Sequence, residues 1–134
     1  MKLIIFTHGN VAREMHKASE MILGEHSFIT AISLNPDDNV EKKAEELKSS
    51  VGDSSAVVLT DFIGGSPFNE SFKVISQRND VFVFTGVNMP MVLSAIEVIS
   101  EGEITKSTLQ QIKSDSVSSI KVGYFNYFTE LTGD

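Results

Sequence analysis

Four short apolar runs, each followed by a polar or glycine-containing loop and then by a stretch of helical period, constrain the fold more than any other feature of this chain. The runs are Lys2 to Phe6, Phe28 to Leu34, Ala56 to Thr60 and Val81 to Thr85. They are nearly continuous in Val, Ile, Leu and Phe rather than alternating with polar residues, which is the pattern of strands covered on both faces. Strand, loop and helix repeated four times call for a parallel sheet with right-handed crossovers. The expected fold class is therefore α/β, a single domain over residues 1–134 with a mainly parallel four-stranded sheet, order 2-1-3-4, covered by helices.

The helical stretches follow from spacing and end signals. Val11, Met15, Ala18 and Ile22 recur at helical period, and Gly24 supplies the stop. Asn35-Pro36-Asp37-Asp38-Asn39 reads as a turn into a charged helix over about 40–50, whose positive end Asp37 and Asp38 favour. Ser66 reads as the N-cap and Pro67 as the first residue of a helix through about Gln77. Further helices are expected over about 91–100 and 104–115. Ser119 to Phe125 resembles a terminal strand that pairs either within its own chain or, exchanged, with a neighbour in a dimer.

Composition narrows the function classes. The 134 residues, 41% apolar and 22% charged, suffice for one core. There is no cysteine, so disulfides and thiolate metal sites are excluded. A net charge of −7 with no basic stripe argues against nucleic acid as a partner. No membrane-length apolar run or signal-type leader is present, and a cytoplasmic location is expected.

Chemistry-bearing residues collect at the carboxyl ends of the strands, where ligands bind in open α/β sheets. Thr7-His8-Gly9-Asn10 follows the first strand, Asp61 to Asn69 the third and Gly86-Val87-Asn88 the fourth. With order 2-1-3-4, His8 and Asp61 flank the topological switch point, where a crevice is expected. Asp61 accepting from one ring nitrogen of His8 would fix the tautomer and leave the other nitrogen nucleophilic. Gly9, Gly64 and Gly65 allow close backbone approach to an anion, and Ser66 at a helix start adds a hydroxyl and amide donors, so these residues form a candidate phosphate cradle. The block lacks the Walker lysine and is not G-x-G-x-x-G. His16 and His26 are expected to be solvated, and no metal-ligand spacing or cofactor motif is present. Phe62, Phe68, Met89 and Met91 are core candidates, or an apolar docking ring where they lie on exposed loops.

Phe6-Thr7-His8-Gly9, Asp61-Phe62-Ile63-Gly64-Gly65-Ser66-Pro67-Phe68-Asn69 and Gly86-Val87-Asn88-Met89-Pro90-Met91 resemble the enzyme IIA component of the mannose family of the bacterial phosphoenolpyruvate-dependent sugar phosphotransferase system. The resemblance covers nearly the whole chain and weakens after about residue 100. It implies that His8 is phosphorylated on the ring nitrogen distal to the backbone, that Asp61 is its acidic partner and that Ser66 lies beside the phosphoryl group. It also implies phosphoryl transfer from the histidine phosphocarrier HPr to an enzyme IIB, which serves membrane sugar-transport subunits. A homodimer, peripheral association with the transporter and a free-standing IIA without a fused IIB are the corresponding expectations. Two rivals remain from the residues alone: a non-catalytic regulator binding a phosphorylated ligand at the same cleft, and a hydrolase using His8 as general base.

Overall fold

The computed structural model of the chain describes residues 1–123. Four parallel strands, β1 (Lys2–His8), β2 (Ile29–Leu34), β3 (Ala56–Thr60) and β4 (Val81–Phe84), form one sheet in the expected order β2-β1-β3-β4. Helices α1 (Val11–Leu23), α2 (Val40–Val51), α3 (Ser66–Ile75), α4 (Met89–Ser100) and α5 (Lys106–Ser118) complete the described fold.

β1 is one of the two inner strands, and its side chains alternate between two cores. Leu3 and Ile5 enter the cluster beneath α1, α4 and α5, whereas Ile4 and Phe6 enter the cluster with Leu47 and Val51 of α2. All four are fully buried, at about 1.5–3 kcal/mol of transfer free energy each. Pairing of Leu3 with both Ile29 and Val57 sets the register, so His8 projects two residues beyond the Phe6–Thr60 pair. The chain leaves β1 into α1 over one face and β3 into α3 over the other. The ends of β1 and β3 thereby form the switch point.

Several local expectations are corrected. β1 continues through His8, which pairs with Leu34, instead of ending at Phe6. The buried stripe of α1 is Ala12 and Ser19 flanked by Met15 and Leu23, one residue out of phase with the stripe read from Val11, Met15, Ala18 and Ile22. The small residues Ala12 and Ser19 admit close contact with the sheet, and the Ser19 hydroxyl is satisfied by the His16 carbonyl at 2.7 Å. Val11 and Ile22 are left exposed. Gly65, not Ser66, occupies the N-cap of α3, and Ser66 is the first helical residue. Asp38 locks its turn by accepting from the Asn35 N–H at 2.8 Å, while Asn39 caps α2 by accepting from the Lys42 N–H. α5 extends to Ser118, and residues 119–123 form no strand. The remainder of the expected terminal strand, 124–125, lies outside the described residues.

Candidate functional site

His8 and Asp61 meet across the β1–β3 boundary. The Asp61 Oδ2 atom accepts from the His8 backbone N–H at 3.0 Å and lies 2.7 Å from His8 Nδ1. Asp61 Oδ1 accepts from the Phe62 N–H at 3.2 Å. Partial burial pushes the Asp61 carboxyl upward, but the hydrogen bonds from the His8 backbone and ring, with the ring's charge, outweigh this and hold it below the usual carboxylate range. An ionised carboxylate only accepts, so Nδ1 carries the hydrogen and Nε2 of a neutral ring keeps its lone pair. The His8 side chain is 42% exposed and Asp61 21%, so the oriented ring stands at the surface above a largely covered carboxylate.

The backbone around the pair is tied from several sides. Thr7, fully buried, accepts the Ala12 N–H at 2.8 Å and so caps α1 from within β1. Gly9 turns the chain at φ +57°, its N–H donating to the Leu34 carbonyl at 2.7 Å. The Gly86 N–H donates to the Asp61 carbonyl and the Val87 N–H to that of Thr60, both at 3.0 Å, so the β4–α4 loop braces the end of β3.

The third loop does more than its composition suggests. Phe62 stacks on His8 with ring centroids 5.0 Å apart and planes 13° from parallel. Gly65 sits in the angle between the two rings, where a Cβ would lie 2.9 Å from His8 Cε1 and 3.0 Å from Phe62 Cζ. Its φ is an ordinary −73°, so close approach and not backbone freedom is what requires glycine there. Gly64, at φ +89°, is the turn residue, and its carbonyl is held by Asn69 Nδ2 at 3.1 Å. No side chain caps α3, and Pro67 has no N–H. The first-turn amides of Ser66 and Phe68, with the half-buried Ser66 side chain, remain as donors for an anion.

A cavity of about 410 Å³ adjoins His8, bounded by Gly9, Leu34, Pro36, Asp38 and Val40. It lies toward β2, not between β1 and β3 where the crevice was expected. The His8–Asp61 pair and Phe62 fill the switch point itself. Met91 is buried in the core, Phe68 is half-buried against Phe72, Met89 is half-buried and Phe62 is exposed. His16 is half-buried, and its Nε2 atom is covered rather than solvated, 3.0 Å from Glu20 Oε1 but without a hydrogen-bond partner. His26 is partly exposed beside the Gly24 carbonyl. Among the described residues no group of three or more His, Asp or Glu could hold a metal. None of the described helices is long and apolar enough to cross a membrane. The contribution of Phe62 and the steric role of Gly65 were missed from sequence, although an aromatic directly after a candidate site carboxylate was the available signal.

Fold and site together define a doubly wound α/β domain that presents a carboxylate-oriented histidine at its switch point. The family of enzyme IIA components described as the fructose IIA component of the phosphotransferase system matches residues 2–113, and the chain belongs to this mannose-type IIA family. The mannose-specific EIIAB component of Escherichia coli is 31% identical over 98 residues, covering 70% of this chain and 30% of that protein. The fructose-specific EIIA component of Bacillus subtilis is 26% identical over 126 residues, 91% of this chain and 86% of the relative. Among solved structures, an EIIA component from Streptococcus agalactiae aligns at TM-score 0.84 with 26% identity, covering 90% of this chain and 95% of that one. A IIA protein associated with a fucose utilization operon of Streptococcus pneumoniae aligns at 0.79 with 29% identity, covering 97% and 95%.

Proposed function

We propose that His8 is a phosphocarrier residue that accepts a phosphoryl group from phosphorylated HPr and passes it to an enzyme IIB for coupled uptake and phosphorylation of a sugar. The observation that carries the reading is the 2.7 Å contact of His8 Nδ1 with Asp61 Oδ2, which leaves Nε2 as the nucleophile. Nε2 attacks the donor's phosphorus in line; its bond to phosphorus forms as the donor's N–P bond breaks, and the donor imidazole keeps the electron pair. The equatorial oxygens gain donors from the uncapped amides at the start of α3 and from the Ser66 hydroxyl. Asp61 supports the imidazole as it becomes cationic, and the Nδ1 hydrogen stays in place for the return step, when the electron pair goes back to Nε2. Gly9 and Gly64 shape the backbone around the incoming phosphoryl group. The reading extends to residues 1–134 as one IIA domain, to a homodimer and to a cytoplasmic protein that meets the membrane only through IIB and its transport subunits.

The test is intact mass after incubation with phosphoenolpyruvate, enzyme I and HPr. One acid-labile phosphoryl group on the wild type, absent without HPr and absent in His8→Gln, is the expected result. Folded wild-type protein that takes up no phosphoryl group refutes the reading in favour of a regulator that binds a phosphorylated ligand in the same cleft.

A further inference from the structure

We propose that Phe62 is a positioning residue for His8: it holds the imidazole in the one orientation that aims Nε2 outward and covers one face of the phosphorylated ring. The proposal deepens the phosphocarrier reading and rests on it for its kinetic part.

Three contacts confine the ring. Asp61 Oδ2 holds Nδ1, the Phe62 ring covers a face, and the Gly65 backbone runs so close to Cε1 that an added Cβ would lie 2.9 Å from it. The χ2 torsion of histidine is broad and two-fold, so a single hydrogen bond at 42% exposure leaves the ring free to exchange with its flipped partner. A flat ring 5.0 Å away and nearly parallel fixes the plane of the imidazole and obstructs the rotation through which it would flip, while the Asp61 hydrogen bond selects the state with Nε2 outward. Phe62 is itself built into place, because the Asp61 carboxylate that orients His8 also accepts the Phe62 N–H, and the Phe62 carbonyl accepts the Gly65 N–H at 3.3 Å. One carboxylate thereby fixes both partners of the stack.

The stack also acts on charge. A neutral imidazole on a phenyl face gains dispersion and area, and a ring that becomes cationic gains the attraction of the phenyl quadrupole as well. N-phosphorylated imidazole that keeps its Nδ1 hydrogen is such a cation, so the contact strengthens as transfer proceeds. Phe62 is 53% exposed, and a partner reaching Nε2 meets this ring as it docks.

Phe62→Leu keeps an apolar side chain without a flat face, and Phe62→Tyr keeps the face. With phosphorylated HPr as donor, Phe62→Leu is expected to lower the single-turnover rate at saturating donor about tenfold, with the apparent donor affinity nearly unchanged, and Phe62→Tyr to restore it. The lifetime of the phosphohistidine without acceptor is expected to shorten in Phe62→Leu. An unchanged rate and lifetime, a change confined to donor affinity, or a Tyr variant as impaired as the Leu variant overturns the proposal. Imidazole 15N spectra give a readout independent of transfer. A single Nδ1–H tautomer in the wild type that becomes a mixture in Phe62→Leu supports the clamp, and identical spectra overturn it. Absence of phosphorylation in the wild type refutes the phosphocarrier reading alone, and the spectra still decide the clamp. A circular dichroism melt confirms that each variant is folded, and Phe62→Met replaces Phe62→Leu if that variant is not.

Discussion

Replacing Gly65 with alanine separates the fold from the site, because the three atoms nearest the added methyl group all belong to the two stacked rings. Its Cβ would lie 2.9 Å from His8 Cε1, where ordinary contact begins at 3.4 Å, so the imidazole must retreat by about 0.5 Å or the Phe62 ring must swing outward. A misplacement of 1 Å at a reacting group costs about 100-fold in rate, so half that distance implies about tenfold, near 1.4 kcal/mol in the barrier. Stability is expected to change little. Alanine is a poorer N-cap than glycine by about 0.5–1 kcal/mol, and the reduced freedom of the unfolded chain returns about 0.4–1 kcal/mol. The backbone at φ −73° accepts alanine without strain. The assay is rapid-quench phosphorylation of Gly65→Ala by phosphorylated HPr, beside urea denaturation of the same preparations. A wild-type transfer rate in a stably folded Gly65→Ala variant would refute the argument that ring position limits transfer.

Asp61→Asn retains an acceptor but removes the charge from a group that takes three N–H bonds. A charge-assisted bond is worth about 1.5–3 kcal/mol, and the half-exposed histidine points to the lower part of that range, so transfer is expected to slow about 10- to 100-fold by the same quench assay. The depressed Asp61 pKa contributes stability that is present above the unfolded value and lost as pH falls through the folded one. Urea midpoints of wild type and Asp61→Asn should therefore converge on acidification below about pH 4, and a gap that persists under protonating conditions would contradict the cited cause. Thr7→Val keeps the shape of a fully buried side chain but strands the Ala12 N–H, and should cost about 1–2 kcal/mol in thermal or urea denaturation.

The sheet was legible because its strands are covered on both faces and the rule for right-handed crossovers leaves few orders. The meeting of His8 with Asp61 followed from that order and from the position of each residue just past its apolar run. The phase of α1 was not legible, since 11-15-18-22 and 12-15-19-23 both have helical period. Only packing against the sheet selects the stripe with small Ala12 and polar Ser19. The Ser-Pro pair suggested a cap at Ser66, yet Pro is tolerated at the second helical position as well as the first, and the chain bends one residue earlier at Gly65. The aromatic residue after Asp61 marked Phe62 as a candidate, but its stacking depends on the tilt of one ring over another 54 positions away, which the local sequence does not specify.

The ring and the carboxylate that orients it are separated by 53 residues along the chain. A growing polypeptide that ends before Asp61 already contains His8 but lacks the acceptor for its Nδ1 hydrogen, the aromatic cover and the start of α3. The parts come together only when β1 has β3 beside it, and that strand pair also joins the two cores through Leu3–Val57 and Ile4–Val58. On the phosphocarrier reading proposed above, competence to carry a group on His8 therefore reports that this strand pair has formed. On that reading, a chain stopped short of Asp61 competes poorly with its intact counterparts for phosphoryl groups.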